Sequence, residues 1–488
     1  MNRRRFLQVA GGAASLLGPA SRAVAEATPP TVQRDAIEPT LRSRLDREIT
    51  SYMQANNAPG MQFAVVDLYG TEYIASYGYE NLQTHQALTP QRLFQIGSIS
   101  KSMAAIAALQ LVAEGKLDLH RPVLEYLPWL PWKMEHGAVT LHHILTHTTG
   151  MPGGGALFFP ANRWIHRQRY APGTRYFYSN MAFNVVGRLV EFCDRRTYQE
   201  SLAARVFHPV GMTSSRSSLG GAEWALQSVS YIPAVADAPF HRFDPLREAA
   251  AFHEDTSAGC VASTAADMAR YLRCLLRGGV TETGTRILSE KGFAAMTSRH
   301  VDADEWGPHA GYGYGIGTDT SDSNHILMHT GGMVSFMSAI YLDMSHGVAA
   351  FASINAQQGY RPMPVVRFAT EAVVADQAKL PLPSAIRMPA FESDHQPTTS
   401  SLAPRHPQLL GSYVNDDPWD GLIQITEVDG KLRADGAVME AVGDGSFHLL
   451  SEPTAPDRAS FDCFIAGKAQ VLLLNGTEYR RWNKASVA

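Results

Sequence analysis

Of the eight lysines in this 488-residue chain, only Lys101 has a serine three positions before it, in Ser98-Ile99-Ser100-Lys101. Residues i and i+3 share one face of a helix, so that spacing sets a hydroxyl and an amine one turn apart. A serine hydroxyl is a weak nucleophile until a base takes its proton. A lysine whose pKa is lowered by burial can be that base. A helix starting here also turns unpaired N–H groups and a partial positive charge toward a developing oxyanion.

Two further stretches carry chemistry. Tyr178-Ser179-Asn180 follows the turn Pro172-Gly173 and immediately precedes an apolar helical run. Ser179 or Asn180 there serves equally well as a plain helix cap. The Tyr-x-Asn matches at Tyr79-Glu80-Asn81 and Tyr413-Val414-Asn415 fall at a strand end and in a turn and are set aside. His329-Thr330-Gly331-Gly332 closes an apolar strand and precedes another. Glycines there either let a ligand approach the backbone or simply make a hairpin turn.

The elements that must position these groups read as strands at both ends of a helical middle. Leu41, Leu45, Ile49 and Tyr52 mark an amphipathic helix over 37–57, and Pro59-Gly60 stops it. A strand over 61–67 and a return strand over 73–78 follow. The run from Ser98 to Glu114 is dense in Ala, Ile, Leu and Met on nearly all faces, which predicts a buried helix closed by Gly115. Helices are expected from Asn180 to Cys193 and from Asp267 to Leu276, and strands over 325–330, 336–343 and 347–353. The first and last strands are expected to share one sheet, an α+β arrangement.

Residues 381–406 read as a Pro/Ser/Thr linker, with Pro381, Pro383, Pro389, Pro397 and Pro404. Beyond it, short alternating runs and the turn signals Asp429-Gly430, Ala466-Gly467 and Asn475-Gly476 predict a small antiparallel barrel or sandwich over 407–488. The first residues read as an export address: Arg3-Arg4-Arg5-Phe6-Leu7, a weak apolar stretch, then Ala23-Val24-Ala25 as a cleavage site. The order is that of a twin-arginine signal, and it implies a periplasmic or secreted protein.

Composition excludes other classes. The chain is 45% hydrophobic and 18% charged, which excludes disorder and fibrous repeats, and a formal charge of −4 does not direct the whole chain to nucleic acid. No later run approaches the ~20 apolar residues of a membrane span. Cys260 and Cys274 can pair only in an oxidising compartment, and the four cysteines form no CxxC. His143 and His147 stand four apart, but no HExxH or neighbouring carboxylate completes a metal site; they are expected to order the loop beneath the site. Thr264 and Asp267 read as helix capping, and Trp129, Trp132 and Trp164 as cleft wall or core. No phosphate loop or dinucleotide fingerprint occurs, so no cofactor is expected.

Together, Ser98-x-x-Lys101, Tyr178-x-Asn180 and His329-Thr330-Gly331, in that order, resemble the serine hydrolases of the penicillin-binding-protein and class C β-lactamase type. The resemblance extends to Phe94-Gln95-Ile96-Gly97-Ser98, to the 144–152 stretch Ile-Leu-Thr-His-Thr-Thr-Gly-Met-Pro, to Pro209-Val210-Gly211-Met212-Thr213 and to the text of 257–268. It covers roughly residues 37–378, within a hydrolase domain taken as 30–380. It implies a mixed antiparallel sheet flanked by helices, with an all-helical insert. The segment 407–488 is similar to the lipocalin-like C-terminal domains of some members.

By the resemblance, Ser98 is the acylated nucleophile, and Lys101 and Tyr178 share the proton transfers, with the choice of base open. Asn180, Thr330 and Gly331 bind the substrate, His329 faces Tyr178, and the N–H groups of Ser98 and Gly332 form the oxyanion hole. Most class C β-lactamases carry Lys-Thr-Gly as the third element, and this chain has none. A histidine titrates near neutrality, so the positive charge is less assured. The His-Thr-Gly form is typical of family esterases, D-aminopeptidases and some D,D-carboxypeptidases. The expected activity is therefore hydrolysis of a small-molecule ester or short D-residue peptide through a Ser98 acyl-enzyme. A β-lactamase, an acyl-transferring peptide cyclase and a penicillin-binding sensor that never turns over are the alternatives. Specificity is expected to sit around 120–170 and 215–255.

Overall fold

The computed structural model describes residues 29–154, 168–234, 243, 245–250, 256–320, 324–357, 362–387, 406–415, 421–450 and 455–482. The export segment, Trp164 and most of the expected linker lie outside the described residues, as do parts of both stretches expected to set specificity.

Strand Gly60–Asp67 and its return strand Glu72–Asn81 form a hairpin, as the alternating text around Tyr69-Gly70 predicts. The chain closes the sheet from its other end, because strand Val348–Ile354 pairs with Gly60–Asp67. The sheet then continues outward through Phe336–Asp343, Ile326–Met333, Gly317–Asp319, Ala310–Tyr312 and Val301–Asp302. On the opposite edge, Thr31–Ala36 pairs with the return strand. Sharing of one sheet by the first and last strands is thus observed.

Both faces of this sheet are covered, and side-chain alternation decides which residues go where. Phe63, Val65, Ala350 and Ala352 pack against helices Pro39–Ala55 and Pro362–Gln377. Ala64, Val66, Ala349 and Phe351 face the helical middle. The first helix buries Leu41, Leu45, Ile49 and Tyr52, and its Asp46 carboxylate accepts hydrogen bonds from Tyr73 Oη (2.6 Å) and Tyr77 Oη (2.8 Å).

The Ala-rich run forms helix Ser100–Ala113, buried on nearly every side and preceded by a 3-10 turn over Gly97–Ile99. Helices Asn180–Asp194 and Ala265–Leu276 lie where the periodicity places them. Thr264 caps the latter by accepting from the Asp267 N–H. The Asp267 side chain does something other than capping. It accepts from Ser214 N, Ser215 N and Ser215 Oγ at 2.8–2.9 Å and fastens that loop to the helix.

Residues Gly411–Trp482 form a closed eight-stranded barrel in which each strand pairs with the next and the last with the first. Closure leaves no sheet edge unpaired. Asp429-Gly430, Ala466-Gly467 and Asn475-Gly476 each have positive φ at both positions, the conformation that two-residue hairpins demand. Asp435-Gly436 makes a fourth such turn that the sequence reading passed over. Tyr413, Ile425, Ala459 and Leu472 lie in the barrel's core.

Ile425 is almost fully buried there. Ile425→Ala should lower stability by about 2–5 kcal/mol through lost transfer energy and a residual cavity. The midpoint of urea denaturation followed by tryptophan fluorescence measures it, and an unchanged midpoint would contradict this packing.

Candidate active site

Ser98 sits within the 3-10 turn that leads into helix Ser100–Ala113, and it is partly exposed. Two features fix the turn. Ser100 Oγ donates to the Gly97 carbonyl (2.6 Å) and accepts from Val261 N–H (3.1 Å). Gly97 has φ +56°, and a Cβ on it would lie 2.5 Å from the Gly332 nitrogen. Only glycine tolerates both the left-handed backbone and the close approach. A Cβ on Gly331 would in turn meet the Ile96 carbonyl at 1.9 Å and the Ser98 nitrogen at 3.2 Å. The backbones of 96–98 and 331–332 therefore abut directly, and the amides of Ser98 and Gly332 border the same contact.

This changes the reading of His329-Thr330-Gly331-Gly332. The glycines are not a hairpin turn. The strand runs on through them to Met333, with Gly331 opposite Ser338 and Gly332 opposite Met337. The bareness of the two glycines is used in packing the strand against the Gly97–Ile99 turn.

Lys101 is fully buried. Its Nζ donates to Ser98 Oγ (2.9 Å), Asn180 Oδ1 (2.6 Å) and the Ala258 carbonyl (2.7 Å). These three acceptors come from three separate elements and hold the amine against Ser98. The Tyr178 ring centre lies 4.8 Å from the same nitrogen and that of Phe183 5.4 Å. Asn180 does not cap its helix. Ser179 does so, accepting from Ala182 N–H, and this leaves the Asn180 side chain to meet Lys101.

His329 is buried, and its ring centre stands 6.3 Å from that of Tyr178. Its Nδ1 lies 2.5 Å from the Thr330 carbonyl, which can only accept, so Nδ1 carries the proton. Nε2 then accepts from Tyr312 Oη at 2.7 Å. Burial, with the Lys101 charge nearby, pulls its pKa down to about 3. The expected titration near neutrality is therefore absent, and His329 presents a neutral imidazole.

His147 supports Tyr178 from behind. It has φ +54°, and its ring lies 4.2 Å from that of Tyr178. Its Nδ1 accepts from Ser179 N–H (3.1 Å), and burial beside Lys101 holds its pKa well below the usual histidine value. His143 forms a capping box with Thr140. Both histidines thus order the loop beneath the site.

Other members of this wall went unread in the sequence. Trp306 packs 4.9 Å from His329 and donates from Nε1 to Tyr176 Oη (3.1 Å). Tyr312 binds His329 as described. Its surroundings, Gly311-Tyr312-Gly313-Tyr314-Gly315, were the one available signal. Of the tryptophans considered instead, Trp132 is buried and Trp129 is exposed. The Cys260 thiol meets Thr256 Oγ1 at 3.2 Å rather than Cys274.

Residues 45–374 match the sequence profile described as Beta-lactamase, and the chain belongs to that family. It is 27% identical over 245 residues to a Beta-lactamase of Escherichia coli K12, covering 47% of this chain and 60% of that protein. It is 21% identical over 355 residues to Protein flp of Staphylococcus aureus N315, covering 68% of this chain and 66% of that protein. It is 29% identical over 278 residues to Penicillin-binding protein 4 of Amycolatopsis lactamdurans, covering 53% of this chain and 71% of that protein. The chain thus spans less than two thirds of the first two relatives. The fold is that of the octameric penicillin-binding protein homologue from Pyrococcus abyssi, with a TM-score of 0.60 at 20% identity over 90% of this chain and 99% of that one.

The buried histidines set an acid limit. An unfolded histidine titrates near 6.5, whereas folded His329 does so near 3, so the unfolded chain takes up protons first as pH falls. Stability should be full above about pH 6.5 and should drop by more than about 1 kcal/mol per pH unit between pH 6 and 5. Urea midpoints at pH 7, 6 and 5 measure this, and a flat series would contradict a neutral His329.

Proposed function

We propose that this protein is an exported serine hydrolase that cleaves carboxylic esters or short D-residue peptides through an acyl-enzyme on Ser98. The observation that carries the reading is the 2.9 Å hydrogen bond from buried Lys101 to Ser98 Oγ, anchored by Asn180 and Ala258. Family membership supports it. Export rests on the Arg3-Arg4-Arg5-Phe6-Leu7 start and the Ala23-Val24-Ala25 pattern.

In this mechanism Ser98 Oγ attacks the substrate carbonyl, and its proton passes through the Lys101–Tyr178 pair to the leaving group. The new Oγ–C bond forms, the bond from carbon to the leaving group breaks, and water then repeats the exchange to release the acid. The Ser98 and Gly332 amides receive the developing oxyanion, a contribution of about 3–4 kcal/mol for one such donor. Asn180 has its oxygen committed to Lys101 and offers its Nδ2 group to the acyl side chain.

The ranking of simple esters ahead of β-lactams follows from His329. Thr330 and Gly331 have beside them a neutral imidazole, with a pKa of about 3, where a fixed cation would greet a substrate carboxylate. A β-lactam carries such a carboxylate, and a simple ester does not. We therefore place p-nitrophenyl butyrate ahead of nitrocefin.

Ser98→Ala should lower ester kcat/KM at least about a thousandfold in a folded protein. Lys101→Ala should lower it about 10²–10⁴-fold, the range of general acid–base catalysis. Retained turnover in Ser98→Ala would overturn the assignment. His329→Lys should raise the nitrocefin-to-ester ratio about tenfold. A ratio unmoved in the folded variant would remove the charge argument and favour the β-lactamase reading.

A further inference from the structure

The barrel touches the loop that holds the active-site helix in place. Asp457 stands at the barrel's rim, just before strand Arg458–Ile465. Its Oδ1 accepts from the Gly153 N–H of the hydrolase domain at 2.9 Å and from Asn475 Nδ2 at 2.8 Å. Asn475 is itself fixed, because its Oδ1 accepts from Arg458 N–H (2.9 Å) and its own N–H donates to the Arg458 carbonyl (2.8 Å). Burial pushes the Asp457 carboxyl pKa up. A second tie lies beside it, where the Arg169 guanidinium donates to the Ala455 carbonyl while the Arg169 N–H binds the Gly150 carbonyl at 2.9 Å.

Gly153 is bound on its other side to the catalytic segment. Its carbonyl accepts from Asn180 N–H at 2.8 Å, and the neighbouring Pro152 carbonyl accepts from Ser179 Oγ at 2.5 Å. A continuous run of hydrogen bonds therefore leads from Asp457 to Gly153, to Asn180, to Lys101 and to Ser98. The members are a barrel turn, a loop, a helix start and the nucleophile turn, and each has a definite place in the fold.

We propose that Asp457 is a positioning residue for the hydrolase site, so that the barrel completes the site as well as being appended to it. Asp457 holds the Gly153 backbone, and Gly153 sets the start of helix Asn180–Asp194, where Asn180 reaches Lys101 and Tyr178 lies two residues before it. Its effect on turnover rests on the Ser98 reading above, while its effect on the loop does not.

Hydrogen–deuterium exchange of the full chain separates the two. In Asp457→Ala, peptides spanning 148–154 and 178–184 should exchange about fivefold faster, the size expected when one positioned hydrogen bond is lost. Ile425→Ala weakens the barrel elsewhere and should leave those peptides unchanged. Asp457→Asn keeps an acceptor oxygen and should restore wild-type exchange. With p-nitrophenyl butyrate, Asp457→Ala should lose about fivefold in kcat with KM within about twofold, and Asp457→Asn should recover it. If Asp457→Ala does not fold, Asp457→Ser, too short to reach Gly153, takes its place with the same expectations. Unchanged exchange in the folded variant, or equal acceleration in Ile425→Ala, overturns the proposal. Faster exchange without ester turnover in the wild type would leave the positioning role standing and remove the hydrolase reading.

Discussion

The arrangement of the candidate site depends on burying the side-chain amine of Lys101. Taking a charged amine out of water costs several kcal/mol unless its donors are met. Three acceptors surround it, and each comes from a different part of the chain: Ser98 in the Gly97–Ile99 turn, the start of helix Asn180–Asp194 and the Ala258 carbonyl. The constraint works in both directions. Lys101 is held where it touches Ser98 only if those elements converge, and the elements converge only where they can satisfy Lys101.

The surrounding structure serves that convergence. The central sheet brings strand Ile326–Met333 against the Gly97–Ile99 turn so closely that Gly97 and Gly331 have no room for a side chain. The aromatic wall of Tyr178, His147, Tyr312, His329 and Trp306 lines the same region. Its two histidines are kept neutral by burial and by the neighbouring ammonium. A second cation here would oppose Lys101 at close range. The neutral third motif and the buried lysine are thus parts of one electrostatic arrangement.

How much of this was readable in the sequence depended on range. The helix Ser100–Ala113 announced itself because an Ala-rich run apolar on nearly all faces reads as a buried helix. The barrel did so because its turns carry Asp-Gly and Asn-Gly at positions that need positive φ. Asn180 was ambiguous between cap and ligand. The structure divides the two jobs, with Ser179 as cap and Asn180 on Lys101. The paired glycines after Thr330 were ambiguous between a turn and a close backbone approach, and their bareness answers to Ile96 and Gly97, over two hundred residues earlier in the chain. Trp306 and Asp457 gave no local sign, because their partners are distant in sequence and no spacing encodes them, and Tyr312 showed only the Gly-Tyr repeat around it. The protonation of His329 also lay beyond reach, because it is set by burial.

No helix among the described residues is long and apolar enough to cross a membrane. The most direct measurement is intact and peptide mass after incubation with a fluorophosphonate. Attack by Ser98 should give one covalent adduct per chain, located on Ser98 and absent from Ser98→Ala. No adduct, or one on another serine, would mean that the Lys101–Ser98 contact is a packing feature and that Ser98 is not the nucleophile.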